Sequence, residues 1–114
     1  MSRYQAKYCE ENIWHLCDER LDTARALWAI FISNEDRTCA LWNQRAGPPG
    51  RPIIWDYHVI AVERVGSELV AWDLDTRLET PSPLHEWWAA TFPAMERVPD
   101  SLRPTFRIVR AADY

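Results

Sequence analysis

The dipeptide Gly66-Ser67, set between the apolar-rich runs Ile53 to Val65 and Leu69 to Asp73, constrains this chain more than any other feature. A glycine-led two-residue turn matches the twist of antiparallel strands and fixes their register. Residues whose numbers sum to 133 then face each other. On that register Asp75 stands opposite His58, and Asp73 lies on the diagonal two residues away. Successive side chains alternate between faces, so both aspartates share the face of His58. The same alternation groups Asp56, His58 and Ile60 on one side of the strand. Trp55, Tyr57 and Val59 fall on the other, where the two aromatic rings are expected in the core.

The remaining chain supplies material for one sheet and two helices. Leu27 to Ser33 (LWAIFIS) is a short, nearly continuous apolar run, the pattern of a strand buried on both faces. Thr38 to Trp42 is a second short strand, placed to pair with it across an Asn34–Arg37 turn. Gly47-Pro48-Pro49-Gly50-Arg51-Pro52 holds no regular structure, because its prolines remove donors and fix the backbone. Leu84 to Phe92 reads as a short helix stopped by Pro93, and Thr105 to Ala111 as a last strand. From Cys9 to about Arg20, Ile13, Trp14, Leu16 and Cys17 recur at helical spacing, with Glu10 and Glu11 in the first turn. The expected fold class is α+β, an antiparallel sheet with packed helices. At 114 residues, residues 1–114 are expected to form a single domain.

Charge and cysteine usage narrow the function classes. Thirteen Lys and Arg stand against seventeen Asp and Glu, dispersed without a basic stripe, which argues against nucleic acid as a partner. No window reaches the roughly 18 uninterrupted apolar residues of a membrane span. The three cysteines are an odd number, and the opening MSRYQAKY has no apolar signal core, so a reduced, cytoplasmic setting is expected. Nothing marks a dimer seam, and a monomer is the expectation. The cysteines and histidines lack the paired spacing of a zinc site, so no metal is expected.

Cys9 carries the nucleophilic signal. A thiol in the first turn of a helix is lowered from its ordinary pKa of about 8.5 by the helix dipole and the unpaired backbone N–H groups. Those N–H groups can also receive an oxyanion. His58 could be oriented by Asp73 or by Asp75, and spacing does not choose between them. Cys17 falls on the apolar side of its helix and Cys39 near a strand start, while His15 and His85 lie on predicted helices with no motif around them.

Three strings, Cys9-Glu10-Glu11-Asn12-Ile13-Trp14, Trp55-Asp56-Tyr57-His58-Val59 and Asp73-Leu74-Asp75-Thr76, resemble the signature segments of the protein N-terminal glutamine amidohydrolase family. Phe31-Ile32-Ser33-Asn34-Glu35 and the closing Phe106-Arg107-Ile108-Val109 with Ala112-Asp113-Tyr114 are similar to further family segments in the same order. The resemblance implies a fold like that of papain and transglutaminase-like cysteine hydrolases. It also implies a cytoplasmic, monomeric, cofactor-free enzyme that turns an N-terminal Gln of proteins or peptides into Glu. By that resemblance the catalytic residues are Cys9 as nucleophile, His58 as general base and Asp73 as its orienting carboxylate. Family members continue past the segment matching Ala112-Asp113-Tyr114, so the chain reads as a short form without the C-terminal portion.

Reading an N-terminus requires a carboxylate for the α-ammonium, and Glu10, Glu35 and Asp75 are the candidate substrate-binding residues. Each also has an ordinary structural use: Glu10 as a first-turn dipole partner, Glu35 as a solvated turn residue, Asp75 as a turn cap. Two other functions use the same residues. One is a deamidase or transglutaminase-like enzyme acting on an internal Gln or another amide. The other is a non-catalytic module that binds N-terminal Gln or a partner protein.

Overall fold

The computed structural model describes residues 13 and 26–113. Its centre is a five-stranded antiparallel sheet built from β1 (Leu27–Ser33), β4 (His58–Val65), β5 (Glu68–Trp72), β6 (Ser82–Pro83) and β7 (Thr105–Arg110). The strand order is β6-β5-β4-β1-β7. A second, two-stranded sheet joins β2 (Cys39–Leu41) to β3 (Ile53–Trp55). Helix α1 (Leu84–Thr91) is one residue shorter than predicted, with Phe92 as its C-cap. The predicted helix from Cys9 to Arg20 lies outside the described residues except for Ile13.

The hairpin register is the one read from the turn. Val65 pairs with Glu68 and Ala61 with Trp72, and Gly66 sits at φ +64°. Ser67 does not share that positive φ, so the turn has the glycine-first form of type II′. β1 is buried at Leu27, Ala29 and Ile32 but only half-buried at Trp28, Ile30 and Phe31, so its apolar run is covered on both faces only in part. Leu27 and Ala29 pack with Ile13, Val59, Ala61 and Ala111 on one face. Ile32 packs with Ile60, Val62, Ala71, Trp87 and Phe92 on the other.

Two strand assignments are corrected. β2 pairs with β3, through Cys39↔Trp55 and Leu41↔Ile53, and not with β1. The reason is that β1 already has β4 on one edge and β7 on the other, so it has no hydrogen-bonding edge to offer. Arg37, at φ 58°, turns the chain away, and Asn34 ties the turn to the carbonyls of Ser101 and Arg103 at 2.9 and 3.1 Å. The run from Ile53 to Val65 is likewise two strands, not one. It breaks at Asp56-Tyr57, where the Asp56 carbonyl accepts a hydrogen bond from Ser33 Oγ at 2.8 Å as the chain passes between sheets. Tyr57 is therefore exposed (44%) and not in the core. Trp55 is partly buried and packs against the α1-side core as expected.

Helix α1 lays Leu84, Trp87 and Thr91 along its sheet-facing side, a spacing of three and four residues that makes one stripe. Its last turn leaves carbonyls in need of donors. The segment after β2 provides them: Trp42 N–H donates to Thr91 O at 2.9 Å and Asn43 Nδ2 to Ala90 O at 2.8 Å. Asn43 occupies the left-handed region at φ 54°, which asparagine tolerates better than most residues. This seam brings Gln44 inward. An open apolar groove of about 1070 Å³ runs between α1 and the sheet, lined by Trp28, Ile30, Val62, Trp88, Phe106 and Ile108 among others. No described helix is long and apolar enough to cross a membrane.

Candidate active site

His58 opens β4, and Asp73 and Asp75 follow the end of β5. The backbone ladder stops at Ala61↔Trp72, so these residues occupy the splayed mouth of the hairpin. Beyond the ladder the chain turns at Leu74-Asp75, and both carboxylates come to the imidazole. His58 Nε2 lies 2.8 Å from Asp73 Oδ1, and His58 Nδ1 lies 4.0 Å from Asp75 Oδ2. All three side chains are buried, with His58 and Asp73 at 0% exposure. The choice between aspartates that spacing left open is resolved by distance in favour of Asp73 as the hydrogen-bonded partner.

A buried carboxylate is costly unless its lone pairs are filled. Asp73 meets that demand with four donors. Oδ1 accepts from His58 Nε2 and from the Asp75 backbone N–H at 3.0 Å. Oδ2 accepts from Trp87 Nε1 at 2.9 Å and Gln44 Nε2 at 3.1 Å. Burial pushes the Asp73 carboxyl up, but the His58 charge and the hydrogen bonds from His58, Trp87 and Gln44 outweigh it and hold the group below the ordinary carboxylate range. The ionised carboxylate favours the imidazole tautomer whose proton sits on Nε2, where Asp73 accepts it. Trp55 stacks on the imidazole with centroids 5.0 Å apart and planes at 22°, holding the ring flat from one side.

His58, Asp73 and Asp75 offer three ligand atoms within 4.8 Å of one another, the minimum of a metal-binding cluster. Chemistry argues for a different use. Both Asp73 oxygens are already committed to two donors each, so a cation could recruit Asp73 only by displacing hydrogen bonds. The arrangement is a buried imidazole oriented by a buried carboxylate.

The other expected site residues divide clearly. Asp75 is brought to the imidazole. Glu35 is exposed in the turn between β1 and β2, and no described contact joins it to the His58–Asp73 pair. Cys9 and Glu10 lie outside the described residues, as does Cys17. Cys39 is fully buried, and burial pushes its thiol up to about 11, which makes it an inert core residue. His85 is exposed on α1. Sequence reasoning missed Gln44, Trp87 and the stacking role of Trp55. Trp87 left a usable signal, since a tryptophan on the buried stripe of a helix must find an acceptor for its N–H. Gln44 left none, because its position depends on the unforeseen β2–β3 pairing.

Residues 4–114 match the family model described as N-terminal glutamine amidase. The chain is 37% identical over 116 residues to a protein from Bos taurus named protein N-terminal glutamine amidohydrolase. It is 35% identical over 116 residues to a protein of that name from Homo sapiens, and 37% over 121 residues to one from Drosophila mojavensis. Each match covers 97% of this chain and 56–57% of the relative, so the chain spans little more than half the length of the relatives it matches.

Proposed function

The chain belongs to the N-terminal glutamine amidase family, and we propose that it hydrolyses the side-chain amide of glutamine at protein or peptide N-termini, releasing ammonia. The observation that carries this reading is the buried 2.8 Å pair of His58 and Asp73, which supplies an oriented base inside the segment shared with the amidohydrolases. In this proposal residues 1–114 form one catalytic domain with a papain- or transglutaminase-like cysteine hydrolase core. It works as a cytoplasmic monomer without a cofactor.

Cys9 thiolate attacks the glutamine Cδ, and the backbone N–H groups at and after Cys9 hold the oxyanion. The C–N bond breaks as the His58 imidazolium gives its Nδ1 proton to the leaving nitrogen, and ammonia departs from a thioester. His58 Nδ1 then takes a proton from water, whose oxygen attacks the thioester carbonyl. The C–S bond breaks, returning Cys9 as thiolate and leaving a glutamate side chain. Asp73 holds the tautomer and supports the imidazolium in both halves. Asp75, buried 4.0 Å from Nδ1, supplies the carboxylate that reads the substrate α-ammonium.

The test is ammonia release, with mass spectrometry of the products, from short peptides beginning with Gln, beginning with Asn, or carrying Gln internally. Release from N-terminal Gln alone, lost in Cys9→Ala, is the expected result. Release from internal Gln alone overturns the N-terminal assignment, and binding without release makes the chain a recognition module. Asp75→Asn is expected to raise KM more than it lowers kcat, and Glu35→Gln to leave both unchanged.

A further inference from the structure

We propose that Trp87 and Gln44 are positioning residues that act through Asp73: they clamp its second carboxylate oxygen and so fix the imidazole of His58 for proton transfer. This inference rests on the proposed general-base role of His58.

Two donors from separate parts of the fold converge on one atom. Trp87 Nε1, from helix α1, lies 2.9 Å from Asp73 Oδ2, and Gln44 Nε2, from the loop after β2, lies 3.1 Å from it. With the His58 and Asp75 donors on Oδ1, both oxygens are held, and rotation about the last bond would break hydrogen bonds at each. A carboxylate held from one oxygen alone can swing, carrying the Nε2 hydrogen bond and the ring with it. Here the plane is set by four contacts, and the imidazole tautomer follows from it.

The alternative is that both side chains serve packing alone. Trp87 does pack in the α1-side core, edge-to-face with Phe92 at 5.6 Å. Gln44 speaks against the alternative. It is 1% exposed, and its Oε1 is buried with no hydrogen-bond partner among the described residues. A glutamine selected only for packing costs stability at such a position, because its carbonyl loses water and gains nothing. The cost is understandable if the amide N–H₂ is needed where it points. Its orientation is fixed by charge: the reversed amide would set Oε1 against the Asp73 carboxylate.

The backbone supports the aim of both groups. Arg45 N–H donates to Asp75 O at 2.7 Å and Arg77 N–H to Asn43 O at 2.8 Å, with Gln44 bridged to Thr76 between them. The Gln44 segment is thereby stitched to the Asp73–Asp75 segment on one side. On the other side it is joined to the last turn of α1, the helix that carries Trp87. Donor and acceptor elements are locked to one another as well as to the carboxylate.

The experiment compares the wild-type chain with Gln44→Leu, Trp87→Phe and a variant carrying benzothienylalanine at position 87, which replaces the indole N–H by sulfur at nearly constant shape. Two readouts are taken: kcat and KM on an N-terminal Gln peptide, and the ¹⁵N chemical shifts of the His58 ring against pH. Loss of one charge-assisted hydrogen bond predicts a fall of about tenfold to a hundredfold in kcat with KM unchanged. The wild-type ring is expected as a fixed Nε2–H tautomer, and the variants as mixed tautomers with a displaced titration. Wild-type kcat and ring spectra in both Gln44→Leu and the benzothienyl variant overturn the proposal. If Trp87→Phe unfolds, the shape-conserving variant decides. If the wild type releases no ammonia from any peptide, the proposed function fails, and the ring spectra alone decide the positioning role.

Discussion

Replacing Asp73 by asparagine tests the centre of the site, because the substitution keeps the shape and changes only the hydrogen-bond logic. Four N–H groups point at the carboxylate, two on each oxygen. An amide has one oxygen and one N–H₂ group: turned with its nitrogen to Trp87 and Gln44 it leaves two donors facing a donor, and turned to His58 it leaves one, the Asp75 N–H, because the ring can accept by moving its proton. Each buried donor left unsatisfied costs about 1–3 kcal/mol, so the total is roughly 1–6 kcal/mol. For a domain near 100 residues each kcal/mol lowers Tm by roughly 4–8 °C, and a fall of at least about 4 °C is expected by circular dichroism. The rate consequence depends on which pair is lost. An amide N–H₂ turned toward His58 forces the proton onto Nδ1, the wrong tautomer for a base acting from that nitrogen. Turnover is then expected to drop by about 10³ to 10⁴, read as ammonia release from an N-terminal Gln peptide. A variant with wild-type Tm and turnover within tenfold of wild type would refute the four-donor account.

Acid stability carries the sign of the Asp73 shift. Its folded pKa is depressed, so its contribution is complete above the unfolded value and is lost as pH falls through the folded one. Denaturant melts of the wild type should weaken steadily below about pH 4, and Asp73→Asn should show a shallower acid slope. Native-state alkylation at pH 8 should leave Cys39 unmodified until denaturant is added, since its thiol is buried and raised to about 11; early labelling at Cys39 by peptide mapping would contradict that burial. Asn43→Ala should cost about 1–3 kcal/mol in a urea melt, because it removes the hydrogen bond to Ala90 O and places a less tolerant residue at φ 54°.

The features legible in the sequence are those set by local rules. Gly66-Ser67 dictated the β4–β5 register, and the register alone predicted that Asp73 and Asp75 share the face of His58. The bounds of β1, and those of α1 to within one residue, followed from an apolar run and from Pro93. What failed was competition between edges. Nothing in Thr38 to Trp42 reveals that β7, some seventy residues later, has taken the edge of β1 that β2 was expected to use. That one long-range pairing redirects β2 to β3, splits the predicted long strand at Asp56-Tyr57, exposes Tyr57 and swings Gln44 against Asp73. The missed site residue and the missed strand pairing are one error with one cause.

The apolar groove beside α1 and the His58 cluster lie in different places and differ in polarity. The groove beside α1 is lined almost wholly by apolar side chains, with Glu68 and His85 exposed at its rim. The His58 cluster buries an imidazole, two carboxylates and an amide within one network. Apolar surface can be exposed at modest cost, whereas buried charge must be matched donor by donor or the fold loses several kcal/mol. Trp87 is the residue shared by both regions, its ring lining the groove and its N–H on Asp73. The aim of the carboxylate therefore depends on the packing of α1 against the sheet, and substitutions that loosen that packing should lower kcat before they alter substrate affinity.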